Sequence, residues 1–283
     1  MGCQEMAEAY GWSGKNLRTQ RILHSASGTA FLVPLDHSLA DGPVSSAADF
    51  AGLVTAMAAN GVDGIVVHKG RVRFLPTELL GRLALVVHLS GSTRHAPDAD
   101  AKTLVGAVAE AVALGADGVS VHINLGSSNE AEQLADFGLV ADQCARWGVP
   151  LLAMIYPRGP RIADPADPTL LAHAANVAAD LGADIVKLPF TGSPVTMRKV
   201  VEASPIPVVT AGGGVVGDTD AFLTLIDRVM ESGVLGVAVG RNIFRAADPG
   251  KLARSVAQRV HAGLGSRKTL TPLDLALAGA TVA

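Results

Sequence analysis

Apolar runs of strand length alternate with amphipathic segments of helix length along most of the chain. The predicted strands lie at residues 29–36, 64–68, 83–89, 118–123, 150–156, 184–189, 206–211 and 235–240. The predicted helices between them lie at residues 47–60, 76–81, 103–114, 130–147, 170–181, 194–203, 219–232 and 249–264. Strands that are apolar throughout and separated by helices indicate a parallel sheet that is buried on both faces.

Eight such units within the length of one domain predict an α/β fold, a (β/α)8 TIM barrel. The alternative, a doubly wound open sheet, requires a Gly-x-Gly-x-x-Gly loop after the first strand, but residues 34–37 read PLDH. The domain prediction is an N-terminal extension at 1–28, the barrel at 29–265 and a tail at 266–283. The extension carries Lys15, Arg18 and Arg21 on a short helix, which we expect to close the bottom of the barrel or to contact a partner subunit.

Three predicted helices end in glycine, followed two residues later by aspartate and then by the next strand. The glycines are Gly61, Gly115 and Gly182. A glycine just past a helix accepts a left-handed backbone conformation, so each is predicted to turn the chain into a strand.

Composition excludes several classes of function. The 283 residues carry a net charge of -3 and contain only 4% aromatic residues, which argues against binding to nucleic acid or to an anionic membrane. No apolar run of about 18 residues predicts a membrane span, and no secretory signal begins the sequence. Cys3 and Cys144 form no metal-type pair, and Cys144 is predicted to be buried. We therefore expect a cytoplasmic protein, with a homo-oligomer favoured by the apolar surplus.

Chemistry in this fold sits at the C-terminal ends of the strands. Those ends carry a set of polar residues: Asp36, His37, His68, Lys69, His88, His122, Asn124, Tyr156, Arg158, Lys187, Gly212, Gly240 and Arg241. Lys187 stands out because Ile185, Val186 and Leu188 surround it on an apolar strand. A buried lysine either pairs with a carboxylate or becomes a neutral nucleophile for carbonyl carbon, and the sequence leaves both possibilities open.

The turns after strands seven and eight predict a phosphate site. Gly212, Gly213 and Gly214 follow the seventh strand, and Gly240 with Arg241 follows the eighth. Glycine-rich turns at these two positions offer backbone N–H groups to a phosphate, and an arginine adds a charge-assisted bond. The alternative is that these glycines only permit tight turns.

Histidines at the strand ends raise the possibility of a metal-dependent aldolase. His37, His88 and His122 are the candidates, but none has the spacing of a ligand pair, so neither a metal nor another cofactor is predicted. His24, His95, His173 and His261 fall on helical or loop patterns and are expected to be solvated.

Five motifs, in order, resemble the archaeal-type class I aldolases. They are FLVPLDHS at 31–38, MIYPRGP at 154–160, DIVK at 184–187, AGG at 211–213 and GRNIF at 240–244. That family includes fructose-bisphosphate aldolases and 2-amino-3,7-dideoxy-D-threo-hept-6-ulosonate synthases. The resemblance implies a barrel in which Lys187 forms a Schiff base, Tyr156 donates a proton and Asp36 accepts one. Gly212, Gly213, Gly240 and Arg241 match the family's phosphate site, and His37 and Arg158 are expected to bind substrate.

The substrates implied are a phosphorylated ketone and an aldehyde. The chain is similar to an actinomycete branch, the 2-amino-4,5-dihydroxy-6-oxo-7-(phosphooxy)heptanoate synthases, which join dihydroxyacetone phosphate to aspartate semialdehyde on the way to 3-amino-4-hydroxybenzoate. His68, Lys69, Arg71 and Arg158 are candidates for the semialdehyde carboxylate. The pair Leu188 and Pro189 departs from the family pattern and is expected to alter the floor of the acceptor site. Alternatives are fructose-bisphosphate aldolase, a transaldolase-like heptulosonate synthase and a phosphosugar-binding regulator.

Overall fold

Eight parallel strands close into a barrel in the computed structural model, which describes residues 14–24 and 26–262. The strands are β1 (Ala30–Pro34), β2 (Gly64–His68), β3 (Ala84–His88), β4 (Gly118–Leu125), β5 (Leu151–Pro157), β6 (Ile185–Leu188), β7 (Val208–Ala211) and β8 (Gly236–Ala238). Each strand pairs with its neighbours in the sequence, and β8 pairs with β1 to close the sheet. The predicted TIM barrel is therefore confirmed.

The helices surround this barrel. They are α1 (14–22), α2 (His37–Ala40), α3 (Phe50–Ala58), α4 (Lys69–Val72), α5 (Thr77–Leu80), α6 (Val108–Ala113), α7 (Glu130–Trp147), α8 (Pro168–Asp180), α9 (Pro194–Ala203), α10 (Thr219–Glu231), α11 (Arg241–Phe244) and α12 (Pro249–His261). The described part of the chain holds no helix with both the length and the apolar character to cross a membrane. The predicted tail at 266–283 and Cys3 lie outside the described residues.

One predicted helix, at 103–114, is only partly correct. Thr103 and Leu104 pair with Ser90 and Gly91 in a short antiparallel ladder, and α6 begins only at Val108. The sequence pattern missed this because the two extended residues gain their hydrogen bonds from a distant segment, which local periodicity does not report.

Side chains alternate between two apolar layers along each strand. On β6, Val186 and Leu188 belong to the layer between the strands and the helices, whereas Ile185 belongs to the layer inside the barrel. Lys187 has the same parity as Ile185 and is in register with Met154, another residue of the inner layer. The period of two therefore points Lys187 into the barrel.

The three glycines that follow helices have the left-handed conformation that the sequence predicts. Their φ angles are +82° at Gly61, +83° at Gly115 and +91° at Gly182. The aspartate two residues after each glycine has a shared role: its carboxylate accepts a backbone N–H from the preceding strand. The pairs are Asp63 with Phe31 at 2.7 Å, Asp117 with Leu85 at 2.9 Å and Asp184 with Leu151 at 2.8 Å.

Helix α1 covers the bottom of the barrel, which is one of the two positions that the sequence analysis expects for the extension. Lys15 Nζ lies 3.0 Å from a carboxylate oxygen of Asp184, and Arg21 Nε lies 2.5 Å from one of Asp117. Ile22 is 3% exposed and packs within the inner layer. The cations of α1 thus bind the free oxygens of two strand-capping aspartates.

The third capping aspartate, Asp63, meets α12 instead. Its carboxylate lies 3.6 Å from His261 Nε2, and the His261 ring stacks on His24 with centroids 4.1 Å apart. The prediction that His24 and His261 are solvated was wrong, because both rings are half-buried and hydrogen-bonded around Ser27. Burial raises the pKa of Asp63 to about 7 against the opposing hydrogen bond from Phe31, and burial lowers the pKa of His261.

Replacement of Asp63 by Asn tests this assignment. The folded-state pKa is raised from 3.8 to about 7, so the wild-type protein loses stability as the pH rises from about 4 through about 7. Asn retains an acceptor for the Phe31 N–H but cannot ionise. We expect the melting temperature of Asp63→Asn, relative to wild type, to increase over that pH range and then level off.

The matched control is Asp117→Asn, at the equivalent position of another repeat. It loses the ion pair with Arg21, so we expect a lower melting temperature without that upward trend. A difference between Asp63→Asn and wild type that stays constant with pH would contradict the assignment.

Candidate active site

A cavity of about 700 Å³ opens at the C-terminal ends of the strands. This volume is in the range of small-molecule sites. Its walls include all nine residues that the sequence predicts for the site: Asp36, His37, Tyr156, Arg158, Lys187, Gly212, Gly213, Gly240 and Arg241. Barrel closure therefore brings together side chains that are as much as 205 residues apart, since the set runs from 36 to 241.

Lys187 lies on the cavity floor and is only 5% exposed. Its ammonium nitrogen contacts the Met154 sulfur at 4.0 Å. Among residues 14–24 and 26–262, no carboxylate oxygen lies within 4.0 Å of this nitrogen. The geometry therefore disfavours the alternative in which Lys187 is a structural lysine paired with a carboxylate.

Asp36 is the carboxylate of the site, and its side chain is 17% exposed. One oxygen lies 3.6 Å from His37 Nδ1, and the other lies 3.8 Å from His88 Nε2. Neither distance is a hydrogen bond. Burial would raise the pKa of Asp36, but the positive potential of His88, His37, Lys187 and His68 outweighs burial and lowers the pKa to about 2. Asp36 is therefore ionised at neutral pH.

The imidazoles beside Asp36 are neutral under the same conditions. Burial lowers the pKa of His88 to about 4 despite the nearby Asp36 charge, and burial also lowers the pKa of His37 and His68. His88 Nδ1 is 2.8 Å from the Ser120 hydroxyl, which fixes the ring. At neutral pH Asp36 therefore faces Lys187 and neutral imidazoles; the imidazole charges that help to lower its pKa are present only in acid, where the rings are protonated.

The metal alternative lacks a converging set of ligands. Within the described residues, the ring nitrogens of His37, His88 and His122 do not meet around one point at the distances an ion requires. His122 Nε2 donates to the Asn124 side-chain oxygen at 2.8 Å, and burial lowers the pKa of His122 well below its usual value.

Tyr156 projects from the end of β5 between two other side chains. Its ring centroid lies 4.9 Å from that of His122, and the Arg158 guanidinium carbon lies 4.9 Å from the same ring centroid. This packing fixes the position of the phenol beside the cavity while leaving its hydroxyl available to substrate.

The turns after β7 and β8 are joined by side chains from the second turn. Arg241 donates to the Gly213 carbonyl at 2.8 Å, and the Asn242 amide donates to the Gly212 and Gly214 carbonyls at 3.2 and 3.0 Å. The carbonyl oxygens of the first turn are thereby engaged, so its N–H groups are what it has left to offer an anion. Asn242 was not among the predicted site residues, although it follows Arg241 in the predicted turn.

Two of these glycines also meet a packing requirement. A Cβ at Gly212 would lie 2.7 Å from a Val239 methyl carbon, and a Cβ at Gly240 would overlap the Pro34 carbonyl oxygen. Tight packing and phosphate binding therefore both account for glycine here, and the sequence alone did not separate them.

The predicted acceptor residues need correction. Leu188 points outward into the helix-facing layer and does not form part of the cavity floor, whereas Pro189 and Phe190 line the cavity. Lys69 pairs with Glu110 at 2.8 Å and Arg71 lies over Phe50, so neither reaches the cavity. His68 and Arg158 do line it.

Lys102 lines the cavity and was missed by sequence reasoning. It lies in the loop between β3 and β4, away from any strand end, so the strand-end rule gave no signal for it. The loop carries two basic residues, Arg94 and Lys102, and local sequence does not distinguish them.

Comparison with known proteins identifies related enzymes. The sequence profile described as DeoC/LacD family aldolase matches residues 30–246. The chain is 51% identical over 247 residues to the 2-amino-4,5-dihydroxy-6-oxo-7-(phosphonooxy)heptanoate synthase of Streptomyces griseus, covering 87% of this chain and 90% of that protein. It is 37% identical over 251 residues to the 2-amino-3,7-dideoxy-D-threo-hept-6-ulosonate synthase 1 of Archaeoglobus fulgidus, covering 89% and 92%.

A solved structure extends the comparison to the fold. It is an archaeal fructose-1,6-bisphosphate aldolase with its catalytic lysine covalently bound to the carbinolamine intermediate of the substrate. The two structures superpose with a TM-score of 0.81 at 28% sequence identity, over 87% of this chain and 99% of the other.

Replacement of Gly240 by Ala tests the close approach of β1 and the turn after β8. The added methyl group overlaps the Pro34 backbone and contacts the His37 ring, so one of the two segments must move. We expect the free energy of unfolding to fall by about 1–3 kcal/mol, measured by chemical denaturation. Gly214→Ala is the control, because a Cβ there meets no atom within 4 Å. Equal stability of the two variants would contradict the packing described.

Proposed function

The chain belongs to the DeoC/LacD family of aldolases, and on that premise we propose that it joins a phosphorylated ketone to an aldehyde through a Schiff base on Lys187. The observation that carries the proposal is the environment of Lys187. Its amine is buried inside the barrel, no carboxylate lies within ion-pair distance among the described residues, and it faces a cavity of substrate size. With no carboxylate bound to it, the amine faces the cavity, where a lysine can act as a nucleophile for a ketone carbon.

The name of the Streptomyces griseus relative supports specific substrates. Its product is a heptanoate with an amino group at C2, hydroxyls at C4 and C5, a ketone at C6 and phosphate at C7. An aldol reaction forms the bond between the carbon next to the ketone and the carbon that bears the new hydroxyl, here C5 and C4. Cleaving that bond gives dihydroxyacetone phosphate and aspartate semialdehyde. We propose these two substrates for this chain, in a secondary pathway to 3-amino-4-hydroxybenzoate.

The donor fits the β7 and β8 side of the cavity. Its phosphate is a dianion that the N–H groups of the Gly212–Gly214 turn and the Arg241 guanidinium can bind. With the phosphate held there, the ketone carbon is one carbon away from the phosphate ester and can approach Lys187 on the neighbouring strand β6. Holding both reactants in one cavity converts the condensation into an effectively intramolecular step.

The first half of the reaction forms the nucleophile. Lys187 Nζ attacks the ketone carbon, and the resulting carbinolamine loses water to give an iminium ion. The positive iminium makes the hydroxymethyl carbon acidic, and loss of its proton gives an enamine. Asp36 is the proposed proton acceptor, and its negative charge at neutral pH also stabilises the iminium that forms in place of the lysine.

The second half forms the carbon–carbon bond. The enamine carbon attacks the aldehyde carbon, the enamine electrons make the new bond, and the aldehyde oxygen receives a proton. Tyr156 is the proposed donor of that proton, since its ring is fixed at the edge of the cavity by His122 and Arg158. Water then hydrolyses the product iminium, which releases the ketone product and the Lys187 amine.

Two other aldolase activities compete with this proposal. Fructose-bisphosphate cleavage uses the same donor half with glyceraldehyde phosphate as the aldehyde, and a heptulosonate synthase of the transaldolase type uses a different ketone donor. The phosphosugar-binding regulator is disfavoured because the relatives are enzymes and the chain keeps Lys187, Tyr156 and Asp36 together.

The function is tested by following condensation of dihydroxyacetone phosphate with aspartate semialdehyde, by mass spectrometry of the product. Cleavage of fructose bisphosphate is measured alongside. We expect the amino keto phosphate to form much faster than the sugar phosphate is cleaved. Preferential turnover of fructose bisphosphate would reject the proposed acceptor and leave the Schiff-base mechanism in place.

Borohydride reduction tests the role of Lys187. With dihydroxyacetone phosphate present, hydride reduces the iminium to a stable secondary amine, so we expect a single adduct that peptide mapping locates at Lys187. Lys187→Met should lose both the adduct and turnover. An adduct on another lysine would reject the assignment.

Tyr156→Phe separates the two halves of the reaction. The phenyl ring preserves the packing against His122 and Arg158, but the proton donor is lost. We expect kcat for condensation to fall by about 10²–10⁴-fold, while borohydride trapping of the donor persists. Unchanged turnover would exclude Tyr156 as the proton donor.

A further inference from the structure

The cavity has a second charged region, across the barrel mouth from the phosphate turns. The strands are arranged in sequence order around the barrel, so the ends of β3, β4 and β5 lie opposite the junction of β7, β8 and β1. This region contains Lys102 and Asp100 from the loop after β3 and Arg158 from the end of β5. Lys187 lies between the two regions on β6, and Tyr156 lies on β5 beside the second region.

The two cations here lack strong counter-ions. Lys102 is half-buried, and among residues 14–24 and 26–262 its ammonium group donates only to neutral oxygens, the Ser92 hydroxyl at 2.5 Å and the Ala99 carbonyl at 2.9 Å. Within that same part of the chain, Arg158 has one carboxylate in ion-pair range, that of Asp100 at 3.5 Å. Burial and the charge of Arg158 both lower the pKa of Lys102. The positive charges of Lys102 and Arg158 repel one another, and an anion bound between them would offset that repulsion.

Asp100 is held rigidly by buried amides from β4 and α7. Its backbone carbonyl accepts hydrogen bonds from the Asn124 amide at 2.8 Å and from the Gln133 amide at 3.0 Å. Asn124 is fully buried, and its own N–H donates to the Gln133 side chain at 2.8 Å. The loop that carries Asp100 and Lys102 is therefore fixed to the barrel rather than positioned by solvent.

We propose that Lys102 and Arg158 bind the carboxylate of an α-amino acid aldehyde and that Asp100 binds its ammonium group. This inference rests on the proposed function and adds the residues that select the acceptor. Two positive groups next to one negative group are complementary to the charges of an amino acid. The aldehyde end of such an acceptor then extends toward Lys187 and Tyr156, where the new bond forms.

Of this set, Arg158 alone was among the cations that the sequence analysis proposed for the semialdehyde carboxylate. Lys69 is neutralised by Glu110, and His68 is kept neutral because burial lowers its pKa. Lys102 takes the place of those residues.

Three aldehydes test the site, each at saturating dihydroxyacetone phosphate. They are aspartate semialdehyde, 4-oxobutanoate, which lacks the amino group, and 3-aminopropanal, which lacks the carboxylate. For Lys102→Met we expect kcat/KM to fall about 10–100-fold with the two carboxylates, chiefly through KM. With 3-aminopropanal, kcat/KM should change little. Asp100→Asn should reduce the preference for aspartate semialdehyde over 4-oxobutanoate.

Lys69→Met is the matched control, because it removes a lysine that does not reach the cavity. Its kinetics with all three aldehydes should equal those of wild type. Borohydride trapping with dihydroxyacetone phosphate reports that each variant is folded and that its donor half is intact.

Failure of the inference is distinguishable from failure of the proposed function. Suppose that wild type condenses aspartate semialdehyde. If Lys102→Met then loses the same activity with all three aldehydes, or keeps full activity with all three, only the proposed acceptor site is overturned. If wild type forms the donor adduct but does not condense aspartate semialdehyde, the proposed acceptor and this site both fall. If wild type forms no adduct, the Schiff-base function falls as well.

Discussion

The direction of the Lys187 side chain is the constraint on which the site depends. Closure of the sheet sends every second residue of a strand into the barrel, and Lys187 has the inward parity of Ile185. A shift of one residue in the pairing of β6 would turn the lysine toward the helices and turn Leu188 inward. Since Met154 and Val209 of the inner layer are in register with Lys187, apolar residues flank it on both neighbouring strands.

The charge balance around that amine follows from the same layering. The inner positions of β2 and β3 change from valine in the lower layer to His68 and His88 at the mouth. Burial keeps these imidazoles neutral, so Asp36 stays the ionised group on this side of Lys187. A carboxylate near Lys187 but not in direct contact with it can offset the charge of an iminium formed there.

The regions proposed to bind the donor phosphate and the acceptor are separated by the width of the barrel. The turns after β7 and β8 are tied together by Arg241 and Asn242, while the opposite loop is fixed through Asn124 and Gln133. Both arrangements use buried amides that bind backbone carbonyls, so each loop is pre-organised without the aid of a ligand. The bottom of the barrel is closed independently by α1 and by α12, through the aspartates that cap the strands.

The sequence determined the eight strands, most of the helices and all nine residues predicted for the cavity. These followed from local information: the period of apolar residues, the glycines after helices and the rule that strand ends carry the chemistry. Helices α7 and α9 have the predicted bounds because their patterns are long or begin with proline.

Only the tertiary structure decided which charged side chains are paired with a counter-ion. Lys69 and Lys102 are alike in sequence, but Glu110 neutralises the first and neutral oxygens surround the second. Leu188 and Pro189 are adjacent, yet they face opposite sides of the barrel wall. The positions of His24 and His261 around Asp63 depend on bringing the two ends of the described chain together. Ion pairing, burial and pKa depend on neighbours distant in sequence, so these properties arise only when the barrel closes.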